Sequence, residues 1–323
     1  MHTVVVTTSF PAHAQDPSGH FVREDALTLV RLGHKVTVLA PATVTQQRHD
    51  HGLHVQWLTG GDAFGWPGAA ARVRQDKTRV VGVAGFLLRA SRALASLRPT
   101  RVVSHWVLPC AWPVRIPADA DLQLVSHGAD IRLLRGLPSP VASALAYRLA
   151  QRASRWRIVS ASLADALLSH LGSESRQAVR RVLEIAPSAV CTPRPDPALV
   201  QRLRAALPDG PALAVVGRLT AQKRVDHILT QVAQGSPRRH VVVLGDGPER
   251  PRLEALAQSL GLNAQFLGTV RRDEALAWMQ ACEALGFAAQ NEGNPTVLRE
   301  AQTLGVQVIR WDNEPIARID AAQ

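Results

Sequence analysis

The sequence predicts an α/β protein built from two Rossmann-like domains that face each other across a cleft. The chain has 323 residues, an ordinary length for two domains. An apolar, β-branched run at Thr3–Thr8, a helical pattern at His20–Leu32 and a second strand at Lys35–Ala40 form a strand–helix–strand unit, which implies a parallel sheet. The same alternation starts again after Ala186–Pro197, a proline-rich stretch with little periodicity that we interpret as a linker.

We therefore predict one domain over residues 1–190 and a second over residues 191–323. The first domain has further predicted strands at Arg101–Ser104, Asp121–Val125 and Arg157–Val159, and helices at Val141–Ala153 and Ala161–Leu171. The second has predicted strands at Ala212–Val216, His240–Leu244, Ala264–Leu267, Ala284–Phe287 and Val306–Arg310, separated by helices at Val225–Ala233, Glu249–Leu260, Glu274–Cys282 and Thr296–Leu304. Because open α/β sheets bind ligands at the carboxyl ends of their strands, we expect a site in the loops that follow these strands.

The positive charge of the chain is concentrated in its first half. Net charge is +11. Residues 1–207 carry 25 Lys and Arg against 13 Asp and Glu, whereas residues 208–323 carry 12 against 13. This asymmetry suggests that the first half meets an anionic partner such as a lipid surface, a phosphorylated acceptor or nucleic acid. An arginine-rich, solvated surface is the alternative.

Because we find neither a membrane span nor a secretory signal in this sequence, we expect a cytoplasmic protein. No apolar run reaches the roughly 18 residues of a membrane span, and Val80–Leu97, the longest, is interrupted by Arg89 and Arg92. The N-terminus lacks the pattern of a secretory signal, and the three cysteines are too far apart for a disulfide framework or a metal site. The basic run Arg72–Arg79 before Val80–Leu97 has two interpretations. We favour an ordinary helix after solvated charges over a peripheral surface on anionic lipid at the inner face of the membrane.

The first loop that suggests chemistry is Gly217–Lys223, directly after the predicted strand Ala212–Val216. It places Arg218 and Lys223 five residues apart, near a helix N-terminus. A guanidinium binds two phosphate oxygens at once, an ammonium adds point charge, and a helix N-terminus attracts anions, so the loop suits a diphosphate. Taken alone, such a pair is more often simply solvated.

Two further loops in this domain have the same position after a strand. In the loop that starts at Gly245, glycine lets backbone approach a ligand, although an ordinary tight turn is the simpler interpretation. The third segment, Asn291–Glu300, places Glu292 in a loop and Glu300 in the helix that follows. Carboxylates accept hydrogen bonds from sugar and ribose hydroxyls, and Glu292 and the backbone amides of residues 293–296 would face the cleft.

These segments, taken in order, resemble the family 4 retaining glycosyltransferases of the GT-B fold. The matching patterns are Gly-Arg-Leu-x-x-x-Lys from Gly217, Gly-Asp-Gly-Pro from Gly245 and Glu-Gly-Asn-Pro-x-x-x-x-Glu from Glu292. In the first half, Ser9-Phe10-Pro11 followed by Gly19-His20-Phe21, the junction Leu32–Val38, and Ser126-His127-Gly128-Ala129-Asp130 resemble the N-terminal motifs of that family. The resemblance extends over residues 3–305.

The resemblance implies a nucleotide sugar as substrate, no cofactor and no metal ion. It makes residues 1–190 the acceptor side and residues 191–323 the side that binds the nucleotide sugar, and it implies a saccharide or lipid-linked acceptor. It implies donor-binding roles for Gly19, Arg218, Lys223, Gly245, Gly293, Asn294, Pro295 and Glu300, and catalytic roles for His127 and Glu292.

The implied roles form a coherent mechanism. Arg218 and Lys223 would neutralise the departing diphosphate, which makes a metal ion unnecessary. Glu292 would contact the sugar hydroxyls and Glu300 the ribose. Gly19 would let its loop close over the diphosphate. His127 would lie near the anomeric carbon.

Other functions fit the sequence less well. The first strand is not followed by Gly-x-Gly-x-x-Gly, which argues against a nicotinamide-dependent dehydrogenase. Asp119-Ala120-Asp121 spells a metal-binding Asp-x-Asp pattern but more simply starts a strand. The dispersed basic residues contain no recognised nucleic-acid module, so we expect no nucleic-acid partner. The family pattern stops after Leu304-Gly305, so we expect a short second domain, and an inactive nucleotide-sugar-binding remnant or a nucleotide-sugar epimerase are the alternatives.

Overall fold

The structure is a computed structural model that describes residues 1–13, 16, 18–65, 68–290 and 292–311. The chain divides into two compact units, Met1–Cys191 and Thr192–Gln323. Each unit contains one β-sheet with helices packed on it, and all strand pairs but one are parallel among the described residues. The predicted α/β class with two mostly parallel sheets is therefore confirmed.

The first unit contains an eight-stranded sheet. Its strands are β1 (His2–Val6), β2 (Lys35–Ala42), β3 (Gln46–Asp50), β4 (Leu53–Thr59), β5 (Arg101–His105), β6 (Asp121–Ser126), β7 (Ala153–Ile158) and β8 (Leu183–Ile185). Its helices are α1 (His20–Arg31), α2 (Ala69–Gln75), α3 (Val80–Leu97), α4 (Val107–Cys110), α5 (Ala129–Arg135), α6 (Ser139–Arg152), α7 (Ala161–His170) and α8 (Ser173–Val182). The strand order is β3-β4-β2-β1-β5-β6-β7-β8.

The second unit contains a five-stranded parallel sheet in its described residues. Its strands are β9 (Ala212–Val216), β10 (His240–Leu244), β11 (Ala264–Gly268), β12 (Ala284–Phe287) and β13 (Gln307–Arg310). Its helices are α9 (Pro197–Ala205), α10 (Val225–Gln234), α11 (Arg250–Ser259), α12 (Arg272–Ala281) and α13 (Thr296–Thr303). The strand order is β11-β10-β9-β12-β13, which puts β9 at the centre.

The largest difference from the sequence prediction is the antiparallel pair β3–β4 at one edge of the first sheet. The sequence of β3, Gln-Gln-Arg-His-Asp, contains no apolar residue, because an edge strand can leave its side chains in water. Hydrophobic periodicity therefore gives no signal for it. The strand β4 and the short elements α2, α4, α5, α8, β8 and α9 also lie outside the predictions.

One face of helix α3 is buried in the core, and the rest of its apolar surface is largely exposed. With the turn before it, it forms Lys77–Leu97, the one helix of the described residues that is apolar and long enough to cross a membrane by length and composition. Phe86, Leu87, Ala90 and Leu94 are buried in the core of the first unit. Only 17% of the apolar window is buried inside the unit.

Helix α1, which carries the predicted Gly19 motif at its start, is tied to the edge of the sheet by an ion pair. Arg23 donates from Nε and Nη2 to the two carboxylate oxygens of Asp50, at 2.7 and 3.0 Å. His51 Nδ1 lies 2.7 Å from the same carboxylate. The hydrogen bond from Arg23 lowers the pKa of Asp50 from 3.8 to about 2, although burial opposes the shift.

We expect Asp50→Asn to destabilise the first unit in a pH-dependent way. Since the pKa of Asp50 is lower in the folded state, the ionised carboxylate contributes stability above the unfolded pKa, worth about 2 kcal/mol. This contribution is lost as the pH falls from about 4 towards 2. Urea unfolding of the variant and the parent protein at several pH values measures it.

Asp119→Asn is the matched control, since Asp119 is exposed. A difference between Asp50→Asn and the parent that stayed constant down to pH 2 would show that the carboxylate charge is not what stabilises this contact.

Candidate functional site

The candidate site lies at the carboxyl edge of the second sheet. There the loops after β9, β10 and β12 are neighbours, because β9 pairs with β10 on one side and with β12 on the other. These are the three loops that the sequence predicts as functional. Each contributes a different type of group: cations, glycine backbone and carboxylates.

The loop after β9 carries both predicted cations. Leu219 is only 1% exposed and anchors the loop in the core, whereas its neighbour Arg218 is exposed. Lys223 ends a short turn and packs over Gly217, where an added Cβ would lie 3.5 Å from the lysine Cε. The lysine side chain is 17% exposed, so the site holds one exposed and one mostly enclosed cation.

The loop after β10 packs backbone to backbone against the loop after β9. Gly217 N–H donates to Leu244 C=O at 2.9 Å, and Leu219 N–H donates to Asp246 C=O at 2.9 Å. A Cβ on Gly245 would lie 1.9 Å from Gly217 O, and a Cβ on Gly247 would lie 2.0 Å from Leu219 O. Both glycines are therefore required for the two loops to pack together.

The loop after β12 brings Glu292 to Lys223. The lysine Nζ lies 2.5 Å from Glu292 Oε1, and both side chains are mostly buried. Gln290 N–H donates to Gln222 C=O at 3.2 Å, which ties the two loops together beside the ion pair. Asn291 lies outside the described residues. The predicted diphosphate cation and the predicted sugar-binding carboxylate are thus direct partners.

Glu300, the second glutamate of the motif, has a different cation. It lies in α13 and is 7% exposed, and Arg272 donates to its Oε1 from Nη2 at 2.7 Å and from Nε at 3.2 Å. Arg272 is the first residue of α12, which follows β11. Sequence reasoning missed Arg272, because no local motif surrounds it. It reaches Glu300 only because the order of the strands brings the start of α12 next to α13. Gly293, Asn294 and Pro295 lie between Glu292 and the start of α13, and Pro295 is its N-cap.

In the first unit, Gly19 and His127 belong to one neighbourhood. Gly19 has φ 64°, and a Cβ on it would lie 2.4 Å from Ser9 O, so only glycine fits against the Ser9 loop. Two residues later, the ring of Phe21 lies 4.8 Å from the ring of His127, centroid to centroid. The Trp106 ring is 4.7 Å from His127 on the same measure.

His127 is held by a second histidine that the sequence prediction did not select. The rings of His105 and His127 stack at 5.2 Å, and His105 Nδ1 lies 2.9 Å from His127 Nε2. Burial lowers the pKa of both imidazoles well below the usual range. Two neutral rings share such a hydrogen bond readily, because one nitrogen donates and the other accepts.

Asp130 fixes the loop that carries His127. Its buried carboxylate accepts the backbone N–H groups of His127 and Gly128, both at 3.1 Å, and that of Val107 at 3.0 Å. Burial raises the pKa of Asp130, and these hydrogen bonds oppose the shift. Asp130 therefore ties the ends of β5 and β6 together around the two histidines.

The Asp-x-Asp pattern has no metal-site geometry. Asp119 is exposed, and Asp121 accepts a hydrogen bond from Arg101 Nε at 2.7 Å. Within the residues that the structure describes, no group of three or more His, Cys, Asp or Glu is arranged to hold a metal ion.

Comparison with known proteins shows what the sequence and the fold are similar to. Residues 203–319, which include all three loops, match the family described as glycosyl transferases group 1. Over 183 residues the chain is 31% identical to a 2-deoxystreptamine glucosyltransferase from Streptomyces kanamyceticus, which covers 53% of this chain and 46% of that protein. The chain thus spans less than half the length of this relative.

Solved structures share the fold of almost the whole chain. Sucrose-phosphate synthase from Thermosynechococcus elongatus is 16% identical with a TM-score of 0.70, over 96% of this chain and 81% of that one. WaaG, a glycosyltransferase of lipopolysaccharide biosynthesis, is 17% identical with a TM-score of 0.63, over 96% and 80%. The fold is that of the two-domain GT-B glycosyltransferases. The family match lies within the second unit, which holds the candidate site.

We expect Gly245→Ala to disrupt the packing of the first two loops. The new methyl group would overlap Gly217 O, and the φ of 136° at Gly245 is strained for alanine, which together should cost about 3 kcal/mol or more. Thermal unfolding of the variant measures this loss.

Gly210→Ala is the matched control in the same unit. Gly210 also has positive φ, 108°, but nothing lies within 4 Å of an added Cβ, so only the backbone strain of about 1 kcal/mol applies. Equal losses in the two variants would refute the argument that loop packing requires Gly245.

Proposed function

We propose that this protein is a glycosyltransferase that moves a hexosyl group from a nucleoside-diphosphate donor to a saccharide or lipid-linked acceptor, with retention of configuration and without a metal ion. The observation that carries the proposal is the contact of Lys223 with Glu292, beside the loop that presents Arg218. A cation suited to phosphate oxygens and an acceptor suited to hydroxyl groups therefore lie side by side, which supports a nucleotide sugar as the ligand.

The two cations explain how the glycosidic bond to the diphosphate is broken. Negative charge grows on the diphosphate as this bond breaks, and Arg218 and Lys223 stabilise it electrostatically. Lys223 exchanges its internal partner, Glu292, for phosphate oxygens when the donor binds. The released carboxylate then accepts hydrogen bonds from the sugar hydroxyls.

The remaining donor contacts come from α13 and the segment before it. The backbone of Gly293 and Asn294 lies at the N-terminus of this helix, with Pro295 at the N-cap, where the helix dipole favours an anion. Glu300 binds the ribose hydroxyls, and Arg272 holds its carboxylate in position. Gly245 contributes by keeping the neighbouring loop close to the cations.

The proposal includes two residues of the first unit, with the roles that the family resemblance implies. These are Gly19, as a loop residue at the diphosphate, and His127, as a group near the anomeric carbon. A neutral imidazole held by His105 donates or accepts one hydrogen bond without adding charge to the site. With both glutamates committed to binding, the acceptor hydroxyl attacks from the face that the diphosphate leaves, which retains the configuration. Its proton passes to the departing diphosphate as the bond to the sugar forms.

The proteins of similar fold support this class of donor. The neighbours include Anabaena Alr3699/HepE in complex with UDP-glucose and a trehalose-6-phosphate protein from E. coli bound with UDP-2-fluoro glucose. The relative from Streptomyces kanamyceticus is named as a glucosyltransferase. We infer a nucleoside-diphosphate hexose as donor by extension from these proteins.

Calorimetric titration with UDP, GDP and ADP in the presence of EDTA tests the donor site. We expect one nucleotide to bind, and Arg218→Ala/Lys223→Ala to weaken it at least about 100-fold, because two charge-assisted hydrogen-bonding groups are lost. Arg238→Ala is the matched control: this exposed cation precedes β10, at the opposite edge of the sheet.

Transfer to acceptors is then measured with the sugar of the nucleotide that binds. Glu292→Gln should keep most of the nucleotide affinity and lose transfer, because the residue contacts the sugar. If the folded protein bound a nucleotide but transferred no sugar, it would be an inactive nucleotide-sugar-binding protein, and the proposed transferase activity would be refuted. Failure of all three nucleotides to bind would refute the donor site itself.

A further inference from the structure

Helix α3 presents an apolar face that the first unit does not cover. Its mean hydropathy reaches 1.5, yet only 17% of its apolar window is buried. Core helices of soluble proteins with this composition are normally enclosed, because exposed apolar surface is costly. We therefore expect a binding partner to cover this face.

The uncovered residues form a stripe along the helix. Val81 is 73% exposed, and Leu88, two turns later, is 52% exposed. Ala84 is also exposed and lies between them on the same side, as the helical repeat requires. Val80, at the start of the helix, is 54% exposed.

Exposed cations border this stripe, and the carboxylates near it, Asp62 and Asp76, come before the helix in sequence. Helix α3 itself contains Arg89 and Arg92, both exposed, and no Asp or Glu. Long arginine side chains can lie along an apolar surface and place their charge at its rim. Lys77 and Arg74, just before the helix, are exposed as well.

The basic run before α3 is only partly available for binding. Arg79 Nε lies 2.9 Å from Asp62 Oδ2, and Arg72 Nη2 lies 3.4 Å from the same oxygen, so these two cations share a carboxylate. For binding an anionic partner, Arg89 and Arg92 of α3 therefore matter more than the basic run Arg72–Arg79.

A partly exposed tryptophan belongs to a segment attached to the same helix. Arg115 N–H donates to Ser91 Oγ of α3 at 3.0 Å, and Trp112, three residues earlier, is 52% exposed. Tryptophan is enriched where one side of a residue is apolar and the other is wet, as at a membrane interface.

We propose that the outer face of α3 docks this protein on an anionic lipid bilayer, with Val81 and Leu88 in the interfacial region and Arg89 and Arg92 among the headgroups. The helix lies in the interface and does not span the bilayer, because Phe86 and Leu94 hold its other face in the core. Of the possible occupants, an anionic lipid surface matches both the apolar stripe and the exposed arginines beside it. The proposal does not depend on the transferase activity.

Flotation of the full chain with vesicles tests the proposal. We expect binding to phosphatidylcholine vesicles that contain 30% phosphatidylglycerol, much weaker binding to pure phosphatidylcholine, and loss of binding as salt is raised. Val81→Ser/Leu88→Ser should weaken binding at least about 10-fold, since two large apolar side chains no longer enter the interface.

Leu32→Ser/Val44→Ser is the matched control, because these two residues of the first unit are each 69% exposed. It should bind vesicles like the parent protein. The proposal is overturned if the parent binds no vesicles, if it binds both compositions equally, or if both double variants behave alike. It is also overturned if the parent forms a dimer that Val81→Ser/Leu88→Ser abolishes while vesicle binding stays unchanged, since a second copy would then cover the face.

Discussion

The pairing of β9 with β10 on one side and β12 on the other is the constraint on which the candidate site depends. Parallel strands end at the same edge, so their following loops become neighbours whatever their separation in sequence. At this edge the backbone of Gly245 rests on that of Gly217, and no side chain fits between them. The loop with the cations is thereby held in place by main-chain packing.

Charge in the site is balanced internally before any ligand enters. Lys223 pairs with Glu292, and Arg272 pairs with Glu300, and all four side chains are largely buried. Unpaired charges at such positions would carry a large desolvation penalty, which these pairs offset. In the proposed function, a ligand that takes Lys223 from its carboxylate must itself be strongly anionic. A diphosphate meets that condition, and a neutral saccharide does not.

The first unit also buries polar side chains, and there hydrogen bonds satisfy them in place of ion pairs. His105 and His127 share a hydrogen bond and stay uncharged, and the carboxylate of Asp130 is satisfied by backbone N–H groups. A buried polar cluster with its partners in place is rigid, which suits the role that we propose for His127. Helix α3 of the same unit differs from this cluster, because part of its apolar surface is exposed. Its inner face packs in the core, and its outer face is apolar and exposed.

The sequence by itself determined the strand–helix alternation, the two sheets and the identity of the three loops, because each depends on periodicity or on turn residues over short stretches. It could not show β3, whose residues are polar, since edge position and not hydrophobicity makes that segment a strand. Only the tertiary structure decided the pairs Lys223–Glu292, Arg272–Glu300 and His105–His127. The physical reason is that each pair joins loops or helix ends that come together through strand order, and strand order is a property of the whole sheet.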